Sequence, residues 1–263
     1  MIKELKEESK KNKILNSVLP KKMGIYDILN ESIIFHLDLD ELKKRNDKRN
    51  NVYNLELNGL IDNNDINSEE IVKYNINKPV YYMIYGMDFG ESAINIHSKG
   101  NVIIIFSNCT FRREIKITDG NIIMFSHNKY KNLYSYNHLF SDAYIRTEGK
   151  INKVAFRNDK FVNQSKNLNV DFGLDLNAKE VLIENTNIES KEFGQLNINT
   201  SNLKIINSDI VADEAYICCD DYDITSSTFN IKNGFMLKDN ENIDLEQFNN
   251  VKQFTKTKSK ITR

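Results

Sequence analysis

The sequence predicts a mainly β protein: a parallel β-helix, or solenoid, led by a helical, mixed α/β cap. Three observations carry the prediction. A short phrase recurs from residue 101 onward, a small polar residue keeps a fixed place inside it, and turn dipeptides typical of hairpins are scarce. The phrase is three or four apolar or β-branched residues, a variable one, a small polar one, two variable ones, then an aromatic or Ile. An internal repeat of this kind marks a fold in which each copy buries its open face against the next.

The chain has 263 residues, enough to bury a core without disulfides or metal. Residues 1–78 read as a mixed α/β lead-in. Ile2, Leu5, Leu15, Val18 and Leu19 fall on a helical spacing among Lys and Glu, which predicts an amphipathic helix capping the exposed end of the solenoid. Ile33–Leu37 reads as a strand, Asp38 or Asp40 as the cap of a short helix through Arg45, and Tyr53, Leu55 and Leu57 alternate as a strand does. Ser68 before Glu69 and Glu70 marks another helix start.

Residues 79–250 carry the solenoid, of about seven coils. Its copies include Ile103-Ile104-Ile105-Phe106-Ser107-Asn108-Cys109-Thr110-Phe111 and Ile122-Ile123-Met124-Phe125-Ser126-His127-Asn128-Lys129-Tyr130. Others are Val154–Phe161, Val181–Ile188, Leu203–Ile210 and Tyr222–Phe229, with a degenerate copy at Ile243–Phe248. The polar marker falls at 108, 127, 158, 185, 207 and 226, in steps of 19, 31, 27, 22 and 19. Asn takes four of these places, and Asn tolerates the left-handed backbone of a sharp bend. Stacked Asn side chains are expected to hydrogen-bond along the axis, forming an asparagine ladder that satisfies otherwise buried amides. A β-sandwich is the competing fold. Only Asn58-Gly59, Asp119-Gly120 and Asn233-Gly234 offer its usual hairpin dipeptides, and a sandwich has no reason to repeat Asn at one offset.

The phrases Val181-Leu182-Ile183-Glu184-Asn185-Thr186-Asn187-Ile188 and Leu203-Lys204-Ile205-Ile206-Asn207-Ser208-Asp209-Ile210 resemble coils of the right-handed parallel β-helix proteins, the pectin-lyase-like superfamily. The resemblance covers roughly residues 80–250. It implies the fold and brings in polysaccharide lyase or hydrolase chemistry only as an alternative function, in which calcium and a basic proton acceptor would serve.

Catalytic motifs are absent. There is no Gly-x-Ser-x-Gly, His-Glu-x-x-His or phosphate-binding glycine loop, and His36, His97, His127 and His138 are scattered. The reading is therefore a non-enzymatic binding protein without cofactor or bound metal. Two sites present themselves. The longest step between markers holds Tyr130, Tyr134, Tyr136, His138, Phe140 and Tyr144, an aromatic insertion suited to protein, sugar or base contact. Asp213, Glu214, Asp220, Asp221 and Asp223 form an acidic wall. Ladder register also places Glu184 near Asp209 and Asp159 near Thr186.

Charge divides the chain. Net charge is −1 overall, but residues 165–250 carry sixteen acids and six bases, and residues 251–263, read as a flexible tail, carry five bases and no acid. An acidic half argues against direct nucleic-acid binding and for a protein partner, with a polysaccharide as the alternative ligand. It also admits a third reading, a phage or mobile-element inhibitor that docks on the basic groove of a nucleic-acid-handling protein. No run of eighteen apolar residues exists to span a membrane, and the acidic start is unlike a signal peptide. Three cysteines, two of them adjacent, give no disulfide framework; inward and outward thiols of one strand are expected at Cys218 and Cys219, in a cytoplasmic protein. An uncovered last coil could stack on a copy of itself, making an end-to-end homodimer.

Overall fold

The computed structural model describes residues 33–37, 42, 46–47, 51–59, 79–131, 145–162, 173–189, 195–238, 241–244 and 253–255. Within these the chain is almost entirely strand, wound into coils that stack in parallel register to form a β-helix. Each coil contributes to three walls. The first wall stacks Ile33–Leu37, Val80–Tyr85, Val102–Ser107, residues 122–126 and 153–157, Glu180–Glu184, and residues 202–206 and 221–225. A sharp turn leads into a narrow wall of Thr110–Phe111, Lys129–Lys131, Lys160–Val162, Asn187–Glu189, and residues 209–212 and 228–231. The second wall stacks Val52–Asn58, Ala93–Lys99, residues 115–118 and 145–148, Gly173–Asn177, and residues 195–200, 214–219 and 233–237. A corner then returns the chain to the first wall one coil on.

The marker residues form the turn between the first and narrow walls, and all six have left-handed backbone: Asn108, His127, Asn158, Asn185, Asn207 and Ser226 have φ between 47° and 57°. Gly86 (φ 67°) begins the same column one coil earlier. The residues just before the markers, Tyr85, Ser107, Ser126, Arg157, Glu184, Ile206 and Thr225, are register partners in succession, so the column is straight. The marker N–H groups from Asn108 to Asn207 extend it, as when Asn185 donates to the Ile206 carbonyl at 2.9 Å and Asn207 to that of Thr225 at 2.9 Å. Left-handed φ strains most side chains but is tolerated by Gly, Asn and His, which is why the position holds few residue types.

The marker side chains, expected to be buried, are exposed. A left-handed residue turns its side chain out of the coil and its successor in. The axial amide bond from Asn207 Nδ2 to Asn185 Oδ1 (2.7 Å) therefore runs along the surface. A second asparagine ladder, at the corner between second and first walls, joins Asn152 to Asn121 (2.9 Å) and Asn121 to Asn101 (2.5 Å). The buried polar column is one residue beyond the markers: Cys109, Asn128, Asp159, Thr186, Ser208 and Ser227. There each side-chain oxygen accepts the backbone N–H of the preceding rung. Asn128 takes Cys109 N–H (2.8 Å), Asp159 takes Asn128 N–H (2.7 Å), Thr186 takes Asp159 N–H (3.3 Å), Ser208 takes Thr186 N–H (3.1 Å) and Ser227 takes Ser208 N–H (3.1 Å). Every one of these donors would otherwise be a buried orphan, at a cost of about 1–3 kcal/mol. The expected proximity of Asp159 and Thr186 is thus a hydrogen bond of this column.

Two aromatic stacks fill the interior beside it. Phe106, Phe125 and Phe156 stack at 5.2 and 4.9 Å with their planes nearly parallel, and Phe89, Phe111, Tyr130 and Phe161 stack at 5.0, 5.2 and 3.9 Å. Isoleucines continue both columns in later coils, at Ile183 and Ile205, and at Ile188 and Ile210.

At its C-terminal end the parallel register stops. Glu241–Asp244 pairs antiparallel with residues 235–238, and Gln253–Thr255 pairs antiparallel with residues 223–225. Two of the three last edges are therefore paired with strands of the chain itself. At the other end, Ile33–Leu37 and Val52–Asn58 already lie in parallel register with the next coil, so the solenoid reaches back into residues 1–78. The expected helix over residues 2–19 and the helix start at Ser68 lie outside the described residues.

Candidate functional site

Strand alternation decides what residues 214–220 present. Ala215, Ile217 and Cys219 point into the core, so Glu214, Tyr216, Cys218 and Asp220 share the outward face of the second wall. The expected split of the two cysteines holds, with Cys218 exposed and Cys219 buried. Tyr216 and its partner on the next coil, Phe235, remain 40% and 42% exposed and meet edge to face at 5.2 Å. In the other direction their column continues through Asn197, Asp175 and Arg146. Four coil steps separate Arg146 from Phe235, about 19 Å at the usual strand spacing.

Beside this face, at the corner between the second and first walls, lies an open groove of about 430 Å³. It crosses four coils and is lined by Lys150 and Asn152, Asn177 and Lys179, Asn199 and Ser201, and Cys218 and Asp220. Its floor is rigid. Asp119 Oδ1 accepts the Lys150 N–H at 2.7 Å, and the Lys179 carbonyl accepts three bonds at 3.1 Å, from Thr200 Oγ1, Ser201 N–H and Asn202 N–H. Gly149 (φ 79°) sits directly on the Asp119 carboxylate, and a Cβ there would clash with it.

Outside the groove, charged side chains pair along the axis. Lys116 meets Glu148 (2.9 Å), Arg146 meets Asp175 (3.2 Å), Lys153 meets Glu180 (3.2 Å), Arg157 meets Glu184 (3.0 Å) and Lys204 meets Asp223 (3.2 Å). Glu184, expected near Asp209, is therefore committed to Arg157.

The acidic wall read from the sequence is dispersed. Asp213 pairs with Lys232 at 2.5 Å and Glu214 accepts from Gln195 Nε2 at 3.2 Å, at one end of the second wall. Asp220 stands at the corner beyond the other end, about 20 Å away across an extended strand, and Asp221 and Asp223 belong to the first wall, where Asp223 accepts from Thr225 Oγ1 at 2.9 Å. Among the described residues no three His, Cys, Asp or Glu converge to hold a metal ion. Tyr130 needs a firmer correction. Counted with the aromatic insertion, it is fully buried, stacked between Phe111 and Phe161. The rest of the insertion, Tyr134, Tyr136, His138, Phe140 and Tyr144, lies outside the described residues.

Three buried groups have shifted acidities. Burial pushes the thiols of Cys109 and Cys219 up to about 11, which keeps them neutral and un-nucleophilic near neutral pH. Burial likewise pushes the Asp159 carboxyl up to about 8, against the opposing pull of N–H bonds from Asn128 and Arg157. Asp159 is only 2% exposed and has no route to a ligand, so its role is internal.

Tyr216, Phe235 and the groove lysines were not singled out from the sequence. Their signal is an outward place in the strand alternation, readable only once the coil register is known. Comparison with protein-family models, with curated proteins and with solved structures returns no match. The geometry alone therefore defines the class, a β-solenoid with an outward aromatic pair beside a polar corner groove.

Proposed function

We propose that the chain is a binding protein that engages a basic macromolecular partner through the outward face of the second wall in its C-terminal coils. The carrying observation is the exposed Tyr216–Phe235 pair with Glu214 and Asp220 on the same strand face. Aromatic rings on a rigid sheet lose little entropy on contact and commonly anchor interfaces. Carboxylates around them favour a partner of opposite charge, in keeping with the net −10 of residues 165–250. The same reading places the protein in a reducing compartment, since all three cysteines are free thiols. No helix among the described residues is long and apolar enough to cross a membrane.

Affinity capture from cell lysate tests the proposal, using wild-type bait beside Tyr216→Ala/Phe235→Ala and Glu214→Gln/Asp220→Asn baits. A partner held by the wild type and lost from both variants supports it; the same partners on all three baits contradict it. Loss of two aromatic anchors is expected to weaken binding by about 30-fold or more. A polysaccharide ligand is the second reading, favoured by the amide-lined groove beside the rings. Saturable binding to a glycan array by the wild type, with no protein partner captured, would favour it instead.

A further inference from the structure

We propose that the corner groove binds a small polyhydroxylated anion, a sugar acid or sugar phosphate, with its negative charge held between Lys150 and Lys179. This is independent of the partner-docking proposal, and the two share no ligand-holding side chain; of the docking residues, Asp220 alone borders the groove.

The first ground is charge inside the groove. Lys116, Arg146, Lys153, Arg157, Lys204 and Lys232 each face a carboxylate on a neighbouring coil or across a strand. Lys150 and Lys179 stand at the same corner of successive coils, and among the described residues neither has a carboxylate within ion-pair reach. Among the described residues Lys99, Lys129, Lys131, Lys160 and Lys238 also lack an ion pair, but Lys150 and Lys179 are the two lysines that line this cavity. Like charges on adjacent rungs repel, and an anion between them removes the repulsion. The second ground is the lining. The side chains of Asn177 and Asn199, on successive coils of the same groove, make no hydrogen bond within the described protein. Each amide offers donors and an acceptor together, which is what a row of sugar hydroxyls requires.

The third ground is shape and stiffness. About 430 Å³ suits one or two sugar rings. The backbone at both lysines is pinned, by Asp119 at Lys150 and by three donors on the Lys179 carbonyl, so little order has to be created on binding. Asp220 stands at the far end, three coil steps and about 14 Å away, and repels an anion from it. The ligand is therefore oriented: charge at the lysine end, hydroxyls along the amides.

Calorimetric titration of the full chain tests this with four probes: glucose 6-phosphate, a galacturonate trimer, glucose and inorganic phosphate. The expected result is saturable millimolar or tighter binding of one anionic sugar, weaker in high salt, with neither glucose nor inorganic phosphate matching it. Which anionic sugar binds distinguishes the phosphate from the carboxylate source. Lys150→Met/Lys179→Met should weaken binding about tenfold or more, and Asn177→Ala/Asn199→Ala should weaken it while leaving the circular dichroism spectrum unchanged. The Tyr216→Ala/Phe235→Ala variant should bind the sugar as the wild type does, so loss of partner docking and loss of this site are separable. Equal binding of glucose, equal binding of inorganic phosphate, an unaffected lysine variant, or no binding by either anionic sugar overturns the proposal.

Discussion

Replacing Asp159 by Asn removes the one carboxyl from the buried polar column, and its effect on stability should change sign with pH. The wild-type carboxyl accepts two backbone N–H bonds, from Asn128 at 2.7 Å and from Arg157 at 3.0 Å, and its acidity is shifted from the ordinary 3.8 to about 8 by burial. The folded protein therefore keeps a proton that the unfolded chain has released. Between those two values the unfolded state binds fewer protons, so stability falls as pH rises, by about 1.4 kcal/mol per unit. Below the lower value both states are protonated, above the upper one both are ionised, and the dependence vanishes. Asn has no such dependence, but its amide nitrogen must face one of the two N–H donors, a lost bond worth about 1–2 kcal/mol. Urea denaturation of both proteins between about pH 5 and 8 reads the difference. At the acid end the variant should be the less stable by about 1–2 kcal/mol; the wild type then loses about 4 kcal/mol across the range, and the order reverses. Parallel stability curves would refute the assignment of a buried, proton-retaining carboxyl.

Phe125→Ala opens a cavity in the middle of a three-ring stack and should cost about 3–5 kcal/mol, whereas Tyr216→Ala, on the outward face, should leave the denaturation midpoint nearly unchanged. Asn158→Gly should fold as well as the wild type, while Asn158→Val, forced to φ 56°, should lose about 1–3 kcal/mol by the same assay. A thiol reagent should label Cys218 in the native protein within its ordinary reaction time and reach Cys109 and Cys219 only after denaturant is added, as counted by mass spectrometry.

The turn column was legible because a left-handed backbone admits few side chains, so Asn, His and Ser at one offset reveal a shared geometry through irregular coil lengths. The buried column beside it was not, since Cys109, Asn128, Asp159, Thr186, Ser208 and Ser227 share a task rather than a residue type. Tyr130 is instructive. It occupies the phrase position filled elsewhere by Phe111, Phe161, Ile188, Ile210 and Phe229, which marks it as core, yet the density of aromatics after it suggested an exposed insertion. The acids of residues 213–223 looked like one group because they are close in sequence, and an extended strand of about 3.3 Å per residue separates them. Tyr216 with Phe235, and Lys150 with Lys179, are brought together by stacking across coils of unequal length, which no local pattern records.

Distance between spin labels at the turn column tests the stacking itself. In a Cys218→Ser background, labels at Asn108→Cys and Ser226→Cys stand five rungs apart, although 118 positions separate them in the chain. Pulsed dipolar spectroscopy should find them about 24 Å apart, and moving the first label to His127→Cys should shorten that to about 19 Å. A distance that ignores the number of rungs would contradict the β-helix and every site built upon it.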